Sequence, residues 1–107
     1  MSLDVWLEVV KPCEVFQTNI THNLGRMAEE AGIYKHLWRP EEIDIKTAHQ
    51  LIVPLREGLN KLLLEPERFK QFDPPNKWGS YESLIKFVSD YLSACEENPS
   101  ATIQVSR

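Results

Sequence analysis

Both ends of this chain read at a period of two, while the stretch between them reads at a period of three to four. Leu3, Val5, Leu7 and Val9 alternate with Asp4, Trp6 and Glu8, and Ala101, Ile103 and Val105 alternate with Thr102 and Gln104. Alternation of this kind sends successive side chains to opposite faces, as in a half-buried strand. Lys11-Pro12 interrupts the first run, and Glu14 to Thr18 reads as a second, shorter strand, so the N-terminus is expected to form a hairpin. Strands at the two ends with helices between them predict an α+β fold. The small antiparallel sheet is built from the N-terminal hairpin and the C-terminal strand, and it packs against three to four helices. At 107 residues the chain is expected to be a single domain over 1–107.

The helical segments follow from spacing. Ile20, Leu24, Met27, Ala28 and Ala31 give a first stripe from Asn19 onward, with Thr18, Asn19 and Thr21 as candidate N-caps and Gly32 as the closing residue. Tyr34 to Trp38 predicts a single turn, and Pro40-Glu41-Glu42 another helix start. The longest stripe is Ala48, Leu51, Ile52, Leu55, Leu59, Leu62 and Leu63, predicting a helix over 45–65 capped by Asp44. Pro54 lies inside it. A mid-helix proline costs about 3 kcal/mol, yet the stripe continues in register across it, which predicts one kinked helix. A short turn is expected over 65–72, with Phe69 and Phe72 inward, then a loop over 73–79. Ser80 caps a last helix whose apolar face is Tyr81, Leu84, Phe87, Val88, Tyr91, Leu92 and Cys95, and Asn98-Pro99 ends it.

Composition narrows the function. Sixteen acidic residues oppose twelve basic ones, a net charge of −4, and the basic residues are scattered among acidic neighbours. Binding to duplex nucleic acid calls for a clustered basic face, so it is not expected. The opening residues lack a basic start and a long apolar run. No apolar run reaches the roughly 20 residues that span a bilayer. The expectation is a cytoplasmic protein with no membrane contact. Cys13 and Cys95 have no C-x-x-C partner, so neither a disulfide framework nor a zinc site is indicated. His22, His36 and His49 are too dispersed to suggest a metal, and no phosphate loop, H-E-x-x-H or G-x-S-x-G is present, so no metal or cofactor is expected. Glu41-Glu42 and Glu96-Glu97 are adjacent pairs that diverge by about 100° on a helix. Cys95 falls on the helix stripe and reads as core, whereas Cys13 lies near a turn with no activating base beside it in sequence.

Two clusters remain as candidate sites. Thr18-Asn19-Ile20-Thr21-His22-Asn23 packs five polar side chains at a strand-to-helix junction, where free N–H groups favour an anion. Capping accounts for one or two of these residues but not for all five. Asn76-Lys77-Trp78-Gly79-Ser80-Tyr81 sets an aromatic residue beside a glycine in a proline-marked loop, the kind of residue that anchors partners, or else a lid over a small core. The candidate ligand- or partner-binding residues are therefore Asn19, Thr21, His22, Asn23, Trp78 and Tyr81. Three functions compete. The first is a non-enzymatic binding or accessory protein that takes a protein partner or a small anion. The second is a small enzyme with His22 as acid–base group, oriented by Asn19, Thr21 and Asn23. The third is a homo-oligomeric structural protein in contact through Trp6, which shares the solvent side of the sheet with Asp4 and Glu8.

The runs N-I-T-H-N-L-G-R-M-A at 19–28, F-D-P-P-N-K-W-G-S-Y-E at 72–82 and Y-L-S-A-C-E-E-N-P at 91–99, with the closing V-S-R, carry a resemblance that extends over nearly the whole chain. In these runs the chain resembles a family of small uncharacterised bacterial and phage proteins of unknown function. The resemblance implies no activity. It places the shared pattern on Asn19, Thr21, Asn23, Trp78, Gly79 and Tyr81, and it suggests a link to phage or mobile elements.

Overall fold

The computed structural model describes residues 2–10, 13–77 and 79–107, with backbone alone at Val10, Cys13 and Glu14. The expected turn at Lys11-Pro12, the Cys13 thiol and the Trp78 ring lie outside the described residues. Strands β1 (Ser2–Val10) and β2 (Cys13–Thr21) pair antiparallel, and β3 (Thr102–Ser106) pairs antiparallel with the other side of β1. The order is β2-β1-β3. Leu3, Val5 and Leu7 are fully buried and face the helices, as their alternation requires. The protein is an α+β fold.

Val9 breaks the expected pattern, and the register shows why. Ser2 to Leu7 pair with Thr21 to Phe16 in step, but Glu8 then meets Glu14 and Val10 meets Cys13. Val15 is thus an extra residue on β2 and Val9 an extra residue on β1. A bulged residue leaves the ladder and reaims its side chain, and both valines are exposed, at 40% and 47%.

Helix α1 (Gly25–Glu30) follows a 3-10 turn at His22–Leu24. The first helix therefore starts later than its stripe suggests: Ile20 belongs to β2, buried opposite Leu3. Gly32, at a φ of 80°, closes α1 as expected. Its N–H donates to the Glu29 carbonyl and that of Ile33 to the Ala28 carbonyl, the paired bonds of a Schellman ending. Helix α2 (Tyr34–Trp38) is a single turn, and Pro40–Ile43 forms a 3-10 turn.

The long helix α3 (His49–Leu64) runs continuously through Pro54, but it starts four residues later than its stripe predicts. Residues 46–48 serve the sheet instead. The Ile103 N–H donates to the Lys46 carbonyl, the Ala48 N–H donates to the Ala101 carbonyl, and Thr47 bridges to Thr102. Asp44 is not the cap. It sits in a left-handed conformation at the end of the preceding turn, and Gln50 reaches back to accept from the Lys46 and Thr47 N–H groups at 2.7 and 3.1 Å. Leu63, expected inside, is 53% exposed, while Leu62 beside it is buried.

Helix α4 (Pro66–Lys70) buries Phe69. Helix α5 (Tyr81–Glu97) begins where Ser80 accepts from the Ser83 N–H at 3.2 Å, and every residue of its expected apolar face is buried. Phe16 of β2 stacks on Tyr91 of α5 at 6.0 Å, joining sheet to helix. No helix among the described residues is long and apolar enough to cross a membrane.

Candidate functional site

The polar run at 18–23 does not converge on one point. Asn19 is exposed on β2 opposite Asp4, on the face of the sheet away from the helices. Thr21 is the N-cap of the 3-10 turn, its Oγ1 accepting from the Asn23 N–H at 3.3 Å. His22 is half-buried with its ring edge-on to Trp38 at 6.2 Å, and its Nε2 is buried without a hydrogen-bond partner. Asn23 opens onto a cleft beside the start of α1, and Thr18 onto a separate hollow beside α5. The expected anion seat at a helix start fails on length: α1 has six residues and is entered through a 3-10 turn, so few aligned peptide dipoles stand behind its N-terminus.

The second cluster lies against the first. Gly79 packs so closely that a Cβ there would stand 2.6 Å from Thr21 Cγ2 and 3.0 Å from Leu24 Cδ1. Tyr81 is 6% exposed. Its hydroxyl donates to the Leu62 carbonyl, and its N–H donates to Asp73 Oδ1 at 2.7 Å. Tyr81 thus fastens α5 to α3 and the loop, and its ring is closed to a partner. The two segments that stand out in the sequence are therefore neighbours in space, but the residue between them that carries most chemistry is one the sequence did not mark.

That residue is Arg26. Asn23, Arg26, Phe72, Asp73 and Asn76 line an open cleft of about 350 Å³ between the start of α1 and the loop after α4. The Arg26 guanidinium lies over the Phe72 ring at 5.2 Å. Of five arginines, Arg39, Arg56, Arg68 and Arg107 are each ion-paired with glutamates, whereas Arg26 has no carboxylate partner among the described residues. Sequence spacing points the wrong way here. Glu29 and Glu30 stand three and four residues beyond Arg26, where helical ion pairs form, but Glu30 turns to Arg68 on α4. Asp73 is the acidic neighbour in the cleft, and its Oδ1 is engaged by the first N–H of α5, where a helix start favours negative charge.

A second region was also silent in the sequence. Two clefts of about 310 and 430 Å³ meet at Gly32 and His36, the first walled by Pro54, Glu57 and Lys61 of α3, the second by Glu29 and Lys35. His36 Nδ1 is buried without a partner, and burial lowers the pKa of the ring from its ordinary 6.5. An imidazole that binds its proton more weakly folded than unfolded contributes stability that is intact above pH 6.5. That contribution is lost as the pH falls below it, until the folded ring is protonated too. His36→Gln is expected to flatten the fall in Tm as the pH drops below 6.5, read by thermal unfolding against the wild type at matched pH. An unchanged slope would mean that His36 titrates alike in both states.

His22, His36 and His49 do not converge, and among the described residues no three His, Cys, Asp or Glu side chains gather as a metal site. Cys95 is a free, buried thiol whose pKa is pushed up to about 12, first by burial and then by Glu96, which keeps it from acting as a nucleophile. Trp6 is half-buried on the open face of the sheet between Gln17 and Gln104. No protein-family model, curated protein or solved structure matches the chain.

Proposed function

We propose that this is a small non-enzymatic binding or accessory protein that holds an acidic group, a carboxylate or a phosphate, in the cleft at Arg26. One observation carries the proposal: among the described residues Arg26 is the arginine left without a carboxylate partner, and it is held over Phe72 in a cleft that Asn23 and Asn76 also line. An arginine pre-oriented on an aromatic face retains its N–H donors for a carboxylate or phosphate and loses little side-chain freedom on binding. This replaces convergence of Asn19, Thr21, His22 and Asn23 with a cleft that keeps Asn23 alone of the four. A place among accessory proteins of phage or mobile elements rests on the sequence resemblance only.

The test is an amide NMR titration with two probes, inorganic phosphate and a synthetic tetra-glutamate peptide. Saturable shifts are expected at 23–26 and 71–76, weakening with salt as exposed charge pairs do. Arg26→Gln is expected to weaken binding about tenfold while costing no more than about 1 kcal/mol of stability. A response to phosphate alone identifies a small anion, and a response to the peptide alone a protein partner. Silence of these amides toward both probes, or an equal response in Arg26→Gln, would overturn the proposal.

A further inference from the structure

The geometry points to a second recognition surface, independent of the Arg26 cleft: we infer that the free edge of β2 and the neighbouring face of α5 take an extended peptide segment that carries a lysine or arginine. The argument begins with the order of the sheet. β1 is paired on both sides, and the start of β3 is covered by residues 46–47, but β2 ends the sheet. An edge strand offers a row of backbone donors and acceptors to any extended chain, and proteins usually blunt such edges with lysine, proline or a bulge. The sequence of β2, C-E-V-F-Q-T-N-I-T, has no lysine, arginine or proline. Its bulge lies at Val15, so Phe16 to Thr21 remain a regular six-residue edge in step with β1.

A hollow of about 300 Å³ runs along this edge. It touches Phe16, Gln17 and Thr18 on the strand and Asp90, Ser93 and Glu97 on α5. Phe16 and Thr18 point to one face of the sheet and Gln17 to the other, so a hollow that meets all three and is not on the β1 side must open on the free edge. Strand edge and helix face together form the groove used in peptide recognition by strand addition, where main-chain bonds give affinity and side-chain pockets give specificity.

Charge decides the occupant. Asp90, Ser93 and Glu97 recur at spacings of three and four, so they stand on one stripe of α5 facing the edge. Asp90 shares its charge with Lys86 at 2.9 Å, and Glu97 has no cationic partner among the described residues. A basic side chain from an added strand would meet both carboxylates. A second copy of the chain would not suit the same edge. Pairing β2 with β2 across a two-fold axis would bring the acidic stripes of two molecules, each of net charge −4, toward each other.

The test uses a display library of random linear ten-residue peptides panned against the intact protein, followed by synthesis of the enriched sequence. The selected peptides are expected to carry lysine or arginine and to lack proline in their paired core. They should shift the amides of Phe16 to Thr21, and bind about tenfold more weakly to Asp90→Asn/Glu97→Gln. They should bind equally to Arg26→Gln, which separates this surface from the acid-binding cleft. Backbone N-methylation of the peptide gives a control that leaves the protein untouched. Methyl groups on one alternate set of residues should abolish binding and on the other set should not, because successive N–H groups of a strand point to opposite edges. Peptides without basic enrichment, insensitivity to N-methylation, failure to select any peptide, or a light-scattering dimer with β2 amides protected would each overturn the inference.

Discussion

Gly79→Ala is expected to lower the stability of the folded protein by about 2–5 kcal/mol, far more than a one-carbon change in a loop ordinarily costs. Two separate costs add. The residue sits at a φ of +98°, a conformation that a Cβ opposes by about 1–2 kcal/mol. The added carbon would also stand 2.6 Å from Thr21 Cγ2, with Leu24 atoms at 3.0 and 3.1 Å behind it. Leu24 is fully buried, so it has no open space to move into, and overpacking of that kind costs about 1–3 kcal/mol. Urea unfolding monitored by circular dichroism would measure the loss. The two costs separate in a second background. Thr21→Ser keeps the hydroxyl that caps the Asn23 N–H but removes the methyl that the new Cβ strikes. Gly79→Ala should then cost less by about 1 kcal/mol or more, with the backbone strain left in place. A loss below about 0.5 kcal/mol in the wild-type background would mean that the loop relaxes freely and does not hold Gly79 against the 21–24 turn.

The alternation of Leu3, Val5 and Leu7, the stripe of α5 and its Ser80 cap were legible because each rests on local spacing and on groups a few residues apart. Long-range partners were not. Residues 45–48 read as helix because Ile45 and Ala48 continue the apolar stripe, yet the backbone groups of Lys46 and Ala48 bond residues more than fifty positions away, at Ile103 and Ala101. Val9 read as core because nothing in one strand announces a bulge produced by pairing with another. The candidate site divides the same way. Polar surplus at 18–23 was visible, but the pleat sends Asn19 away from Thr18 and Ile20, and a capping bond engages Thr21. Arg26 was hidden because its sequence neighbours Glu29 and Glu30 suggest an ion pair that the packing of α4 diverts to Arg68.

Gly58→Ala inverts an ordinary expectation. Glycine inside a helix costs about 1 kcal/mol relative to alanine, so the substitution in α3 would stabilise the protein if the helix stood alone. Here a Cβ at position 58 would lie 2.4 Å from Ile33 Cγ2 and 3.2 Å from its Cδ1. Ile33 is 2% exposed and follows the glycine that ends α1, its own N–H bonded to the Ala28 carbonyl, so its branched side chain cannot swing aside. Relief requires α3 to move away from the α1–α2 junction, and the net result is expected to be a loss of about 1–3 kcal/mol. Ile33→Ala removes both colliding carbons. That substitution carries its own cavity cost of about 2–5 kcal/mol, but within it Gly58→Ala should become neutral or stabilising by up to about 1 kcal/mol. The sign reversal across the double-mutant cycle is the diagnostic, because a helix-propensity effect alone has the same sign in both backgrounds. Gly58 also lines the cleft beside His36. A displaced α3 should therefore alter the solvation of that ring, and the pH dependence of Tm should change in Gly58→Ala but return in the double variant. If Gly58→Ala stabilises the wild-type protein instead, Ile33 yields to the added carbon at little cost, and α3 is not held firmly against the α1–α2 junction.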